Sequence, residues 1–310
     1  MMQPQAHRSI ESLCRMAGVS RAGFYRHWQE HEPRVEETEV RAQVQQIVLA
    51  HRGNYGYRRV SWELRQQGWA VNHKRVARIM REDNLLCLRR RRFLLTTDAN
   101  HDWPIYLNLA ARIQLSGIDQ LWAADLTYIR LREQFVYLAV ILDAFSRRVV
   151  GWALDESLHA PLALAALRRA LHLRRPAPGL VHHSDRGIQY ACREYVTLLE
   201  DHGLLPSMSR AGNPYDNAKC ESFIKTLKQE EIYTRQYRDR AELESCLSHF
   251  LEHYYNRRRL HSALNYRSPE QFERHLRQSP AVLPAATVSF FRHEEIYRPD
   301  VGKAVREERR

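Results

Sequence analysis

The sequence predicts an α/β protein: helices layered on a mixed sheet, preceded by all-α modules. Three observations lead there. The first ninety or so residues read as short helices separated by turns. After residue 118 three apolar, β-rich runs follow in close succession. Beyond them helix, strand, helix, strand and helix alternate, the order that layers helices on a sheet.

The helices come first. Between Arg8 and Trp28, "SIESLCRMA" precedes a "GVS" turn, and Ser20 suits the N-cap of "RAGFYRHW". This is helix-turn-helix spacing, which a plain helical hairpin would share. In "YGYRRVSWELRQQG", Val60 and Leu64 stand at i, i+4. After "GWAV", Asn72 can cap "HKRVARIMREDN", whose apolar stripe is Val76, Ile79 and Met80. Lys74, Arg75, Arg78 and Arg81 lie largely off that stripe. Residues 93–118 give no clear pattern and read as a linker.

The strands follow. "LWAADLTYIRL", "FVYLAVILDAFS" and "RRVVGWAL" are joined by "REQ" and an "SRR" corner, which predicts an antiparallel meander. "APLALAALRRALHLR" is helical, "GLVHHSD" a short strand, "YACREYVTLLEDHG" a helix and "LLPSMS" a short strand. "DNAKCESFIKTLKQEE" and "AELESCLSHFLEHYYNRRR" read as two further helices.

Charge narrows the function. The 310 residues carry a net charge of +12. Within residues 51–92 basic side chains exceed acidic ones by nine, counting the "RRRR" tract at 89–92. An excess this concentrated suits a phosphate-binding face, so nucleic acid is the expected partner. Lys74, Arg75 and Arg78 are the expected contacts. The five cysteines, Cys14, Cys87, Cys192, Cys220 and Cys246, form no close pair. That argues against a zinc knuckle or disulfide framework and fits a reducing cytoplasm. "MMQPQAHRSIESLCR" has no apolar signal core, and "APLALAALRRALHL" is too short and too charged to span a bilayer.

Three acids then stand out. Asp125 shares a strand face with Leu121, Ala123, Thr127 and Ile129, where a carboxylate is costly unless paired or metal-bound. Asp185 ends a short strand, where a turn or capping Asp is ordinary. Glu221 sits on a helix, where a solvated Glu is ordinary. Fifty-nine residues separate the first two and 35 the last two. With "WAADLTYI", "HSDRGIQY" and "NPYDNAKCESFIKTLKQE" around them, the chain resembles the retroviral-integrase-like DDE recombinases, specifically the OrfB-type insertion-sequence transposases of bacteria. "CRMAGVSRAGFY", "YGYRRV…VNHKRVARIMRE" and "HYYNRRRLHSALNYRSPEQF" also resemble segments of that family, so the likeness spans roughly residues 10 to 275.

The resemblance implies a ribonuclease-H-like core, with a five-stranded mixed sheet, and metal-dependent DNA cleavage and strand transfer at the ends of a mobile element. It implies that Asp125, Asp185 and Glu221 hold two Mg²⁺ ions, with Mn²⁺ a substitute. Asp125 would serve both ions and the other two acids one each. No covalent intermediate is formed, so no Ser or Tyr nucleophile is needed. Lys225 and Lys228, at i+4 and i+7 from Glu221, share its helix edge and would hold DNA phosphates there. Asp143 is expected to pair with Arg147 or Arg148, at most one of His182 and His183 to touch metal, and Asp216 and Asn217 to cap the Glu221 helix. The implied partners are element-end and target DNA, further copies of the chain on DNA, and an upstream-frame (OrfA-type) protein or fusion, because no heptad is sustained here. No membrane is implied, and the expected location is the cytoplasm, with the nucleoid. The expected divisions are 1–40 and 41–92 (two helix-turn-helix modules), 93–118 (linker), 119–275 (catalytic core) and 276–310, which has no functional account. A regulator with an inactive core and a ribonuclease-H-type nuclease are the rival readings.

Overall fold

A computed structural model describes residues 9–28, 35–87, 105–132, 134–210, 217–278 and 297–298. The chain divides into two compact units, Met1–Leu86 and Cys87–Arg310.

The first unit is helical. α1 (Ile10–Met16) and α2 (Arg21–Trp28) flank the expected turn, where Gly18 takes φ +66° and Ser20 Oγ accepts from Gly23 N at 3.0 Å. α3 (Val35–Ala50), α4 (Tyr57–Gln66) and α5 (His73–Glu82) follow. Val40, Val44, Ile47, Val60, Leu64, Val76, Ile79 and Met80 are all buried in this unit. The apolar stripe read for α5 is therefore its inner face. Asn72 caps α5, its Oδ1 accepting from Lys74 N at 2.9 Å. Arg41 of α3 reaches Glu82 and Asp83 at the end of α5, which ties the first and last of these helices together.

The second unit is built on a five-stranded sheet. In chain order the strands are β1 (Ile105–Tyr106), β2 (Leu121–Arg130), β3 (Phe135–Asp143), β4 (Val149–Asp155), β5 (Val181–Ser184), β6 (Leu205–Met208) and β7 (Tyr297–Arg298). The main sheet has the order β4-β3-β2-β5-β6. β2, β3 and β4 form the expected antiparallel meander, while β5 runs parallel to β2 and β6 to β5. β1 and β7 make a separate two-residue antiparallel ladder. That places one short piece of the C-terminal segment; most of 276–310, like Asp216 and the 89–92 tract, lies outside the described residues.

Helices cover both faces. On one, α6 (Ala160–Arg174) and α8 (Arg193–Asp201) bury Leu162, Leu167, Tyr195 and Leu199 against Trp122, Ala124 and Ile141. Gly151 of β4 permits this approach: a Cβ there would lie 2.3 Å from the Ala166 carbonyl oxygen and 2.8 Å from Ala170 Cβ. On the other face, α9 (Ala218–Glu230) and α10 (Arg240–Ser248) bury Phe223, Leu227 and Leu243 against Ala123, Val140 and Trp152.

Two expected helices are each divided. The helix read from Tyr190 begins as α7 (Ile188–Ala191) and breaks at Cys192, whose backbone is extended (ψ 146°) before α8 starts. The break lets both Tyr190 and Tyr195 pack around His182. The last long helix widens after α10 into a π-helical stretch, His249–Tyr255, that keeps Phe250, Leu251 and Tyr255 buried. Asn256 follows it and pairs with Val149 twice, Val149 N donating to Oδ1 at 2.9 Å and Nδ2 donating to Val149 O at 3.0 Å. α11 (Pro269–Gln278) ends the core, anchored by the buried Glu273.

Candidate active site

The site forms where β2, β5 and α9 meet. Alternation along β2 puts Asp125 on the face of Ala123 and Ile129, both of which pack with Cys220, Phe223 and Ile224 of α9. Asp125 therefore faces the helix that carries Glu221. The β2–β5 ladder has its last pair at Ala123 and His183, so Asp185 comes just past the point where the strands part. Its Oδ1 accepts from Gly187 N at 3.0 Å, which sets the turn into α7.

Asp125 lies in the field of the other two acids. Burial, then the charge of Asp185, raise the Asp125 carboxyl to about 8; Leu126 N–H pulls against this, Glu221 adds to it and Lys228 opposes it. Burial raises Glu221. The same three acids, after burial, push the Cys220 thiol well up. Residues from three elements, 59 and 35 positions apart in the chain, thus share one field.

No three His, Cys, Asp or Glu side chains among the described residues are already gathered into a metal-holding cluster. A carboxylate raised by burial and by neighbouring acids, as Asp125 is, is one that a bound cation would keep ionised. The donor set fits a hard divalent cation, being all oxygen. Two orphaned polar atoms beside the acids fit as well. Tyr190 Oη and Asn217 Oδ1 are buried without a hydrogen-bond partner, the first in the field of Asp185 and Asp125. The second belongs to a side chain bonded to Ala124 O, next to Asp125.

Lys228 is half-buried, with its ammonium 4.9 Å from the centre of the Tyr128 ring. Burial lowers its pKa and Asp125 raises it, so this lysine belongs to the site's field. Lys225 is exposed on the same helix. In the first unit Lys74 is exposed and Arg75 half-buried, while Arg78 is held by Glu37 at 3.2 Å and Glu82 at 3.9 Å.

Several neighbours differ from expectation. Asp143 pairs with neither Arg147 nor Arg148 as a salt bridge. It accepts from the backbone N–H of Asp119, Phe145 and Ser146 at 2.6, 2.9 and 2.7 Å and lies 3.9 Å from Arg174. Arg148 turns to Glu273 at 2.9 Å. The two histidines do point opposite ways, but both are occupied within the core: His182 with Tyr195 Oη at 3.0 Å, His183 with Ser207 and Ser209 at 2.8 and 3.0 Å. Asn217 holds the N-cap position of α9, yet its side chain makes no capping bond; its Nδ2 donates to Ala124 O at 3.0 Å. Sequence reasoning did not mark Tyr128 or Tyr190, and no local signal sets them apart from other half-buried or core tyrosines.

Residues 117–214 and 202–269 match two models described as integrase core domain, and residues 35–93 match an HTH-like domain. A 31 kDa protein of insertion element IS600 from Shigella sonnei is 40% identical over 273 residues, 87% of this chain and 100% of that protein. Transposase InsF of insertion sequence IS3A from Escherichia coli K12 is 38% identical over 275 residues, 87% of this chain and 95% of its own. Among solved structures, the HTLV-2 integrase catalytic core domain in complex with magnesium is 16% identical, with a TM-score of 0.37 over 50% of this chain and 96% of its own. The BIV integrase core stands at 18% and 0.37, over 52% and 97%. The integrase-core matches over the sheet, the helix-turn-helix match over α3–α5 and the identity to InsF across most of the chain together place this protein in the IS3 family of insertion-sequence transposases.

Proposed function

We propose that this transposase cuts DNA at the ends of a mobile element and joins the freed 3′ ends to a target, using Asp125, Asp185 and Glu221 as its metal-binding acids. The single observation that carries this is the meeting of the three carboxylates where β2, β5 and α9 come together, with burial first and then the charges of Asp185 and Glu221 raising Asp125 to about 8. Mg²⁺, with Mn²⁺ as substitute, would be held as two ions by these acids, and supplies charge stabilisation to the attacking and leaving oxygens of an in-line phosphoryl displacement. The protein's own part is positional. β2 and the end of β5 fix two carboxylates on the sheet, and α9 brings the third across. Lys228, steadied on Tyr128, and the exposed Lys225 present cations to the phosphates flanking the reacting bond. Water is the first nucleophile and the exposed 3′-hydroxyl the second, so the chain needs no covalent nucleophile. Residues 41–92 bind the element end, with Lys74, Arg75 and Arg78 toward phosphate and 1–40 as a further DNA-binding module. The chain works as a homo-oligomer on DNA, together with an OrfA-type protein or fusion, at the nucleoid. Among the described residues no helix is long and apolar enough to cross a membrane.

The test is substitution at each acid. Asp125→Asn, Asp185→Asn and Glu221→Gln are each expected to reduce cleavage and joining to background while end binding in a gel-shift assay is kept. Near-normal strand transfer by any one of them removes that residue from the trio.

A further inference from the structure

Asn217 contrasts with the other buried asparagine of the core. Asn256 uses both ends of its amide, accepting from Val149 N and donating to Val149 O. Asn217, 7% exposed, uses one. Its Nδ2 donates to Ala124 O, and this fixes which way the amide faces, since the opposite choice would set oxygen against oxygen. Oδ1 is left buried and unpartnered, a state that is costly in a finished core.

The place of this residue matters. Ala124 follows the last paired residue of the β2–β5 ladder and precedes Asp125. The main-chain carbonyl of Asn217 accepts from Glu221 N at 3.1 Å. One residue therefore joins the backbone of β2 at Asp125 to the backbone of α9 at Glu221. A capping bond would have served α9 alone; the amide instead spans 93 positions to the strand.

We propose that Asn217 is a positioning residue of the catalytic site. Its Nδ2 sets Glu221 at the correct distance from Asp125, and its Oδ1 accepts a hydrogen bond from a water of the cation those acids bind. The inference rests on the metal reading given above and assigns a residue outside the trio to it. Partners of this kind orient the ligands of a metal, and their loss weakens metal affinity about 10–100-fold.

The test uses the full chain and Mn²⁺ alone, with free ion followed by its electron paramagnetic resonance signal. Asn217→Leu keeps the shape of the side chain and removes both polar functions; Asn217→Ala is the second variant should Leu fail to fold. Both are expected to raise the half-saturating Mn²⁺ concentration at least about tenfold. Asn256→Ala is the comparison: it is expected to lower the thermal midpoint and leave Mn²⁺ affinity as it was. Wild-type Mn²⁺ affinity in the Asn217 variants, alongside lost affinity in Glu221→Gln, would overturn the proposal and spare the metal reading. Unchanged affinity in Glu221→Gln would overturn both.

Discussion

The core contains two groups of two aspartates and one glutamate, and they have opposite fates. In one, Asp119, Asp143 and Glu273 gather around Arg174, whose Nε and Nη1 donate to Asp119 and Glu273 at 2.9 and 2.8 Å. Arg148 and Ser146 complete the shell of Glu273. In the other, Asp125, Asp185 and Glu221 share a field in which the opposing groups are the Leu126 N–H and the half-buried Lys228. Burial separates the groups only in part: Glu221 is exposed and Asp185 half-buried, yet burial raises Asp125 as it raises Asp143. The counter-charge separates them further. Arg174 offsets the first group directly, whereas the cation that acts on Asp125 in the second is the more distant Lys228.

Removing the counter-charge tests this most severely. Arg174→Met should strip the first group of its central cation and cost about 3–5 kcal/mol, the usual loss when one partner of a buried pair is deleted. Denaturant unfolding measures it, and a cost below about 1 kcal/mol would show that the arginine is not what reconciles these acids. Acid should have a milder effect on the same group. Burial would raise Glu273, but the hydrogen bond and charge of Arg174, with Ser146 and Arg148, hold it below the ordinary glutamate value. A depressed carboxylate contributes stability that is present above its unfolded pKa and is lost as pH falls through its folded one. The thermal midpoint of the wild type should thus fall toward that of Glu273→Gln once pH drops below about 4.5. A gap that widened on acidification would give the opposite sign. The smallest effect concerns the surface, where paired and unpaired charge can be compared on one helix. Lys74→Gln should weaken DNA binding and reduce the salt slope by about 1. Arg78→Gln should change it less, since Glu37 and Glu82 already engage that guanidinium. Equal losses in filter binding across a salt series would show that the ion pairs with Glu37 and Glu82 do not weaken Arg78 as a phosphate contact.

Much of this was legible in the sequence, because it depends on local period. Alternation in β2–β4 gave the meander, and i, i+3, i+4 spacing gave the inner face of α5. Spacing and resemblance picked out Asp125, Asp185 and Glu221 as the expected trio, and in the fold Asp125 feels the charge of the other two. The second acid group was not legible. Asp143 has Arg147 and Arg148 close by in the chain, but the hairpin turns Arg148 toward Glu273, 125 positions away. Its true neighbour, Arg174, arrives on α6 from across the sheet. Asn217 misled in the same way: an asparagine before a helix is an ordinary cap, and only the end of the β2–β5 ladder explains why its amide goes elsewhere. Local rules located the elements; contacts between distant elements decided how the polar side chains were used.

The anchoring of α11 also sets an order in time. Synthesis delivers Asp119, Asp143, Arg148 and Arg174 first, and Glu273 comes 99 residues after Arg174. Until then Arg148 lacks its ion-pair partner and Arg174 one of its own, so the charges around the end of α6 are balanced only once α11 is made. A product cut short before Glu273 would still carry Asp125, Asp185 and Glu221 but would leave Arg148 and Arg174 under-compensated. Read-through to α11 is therefore the point at which Arg148 and Arg174 gain their shared partner.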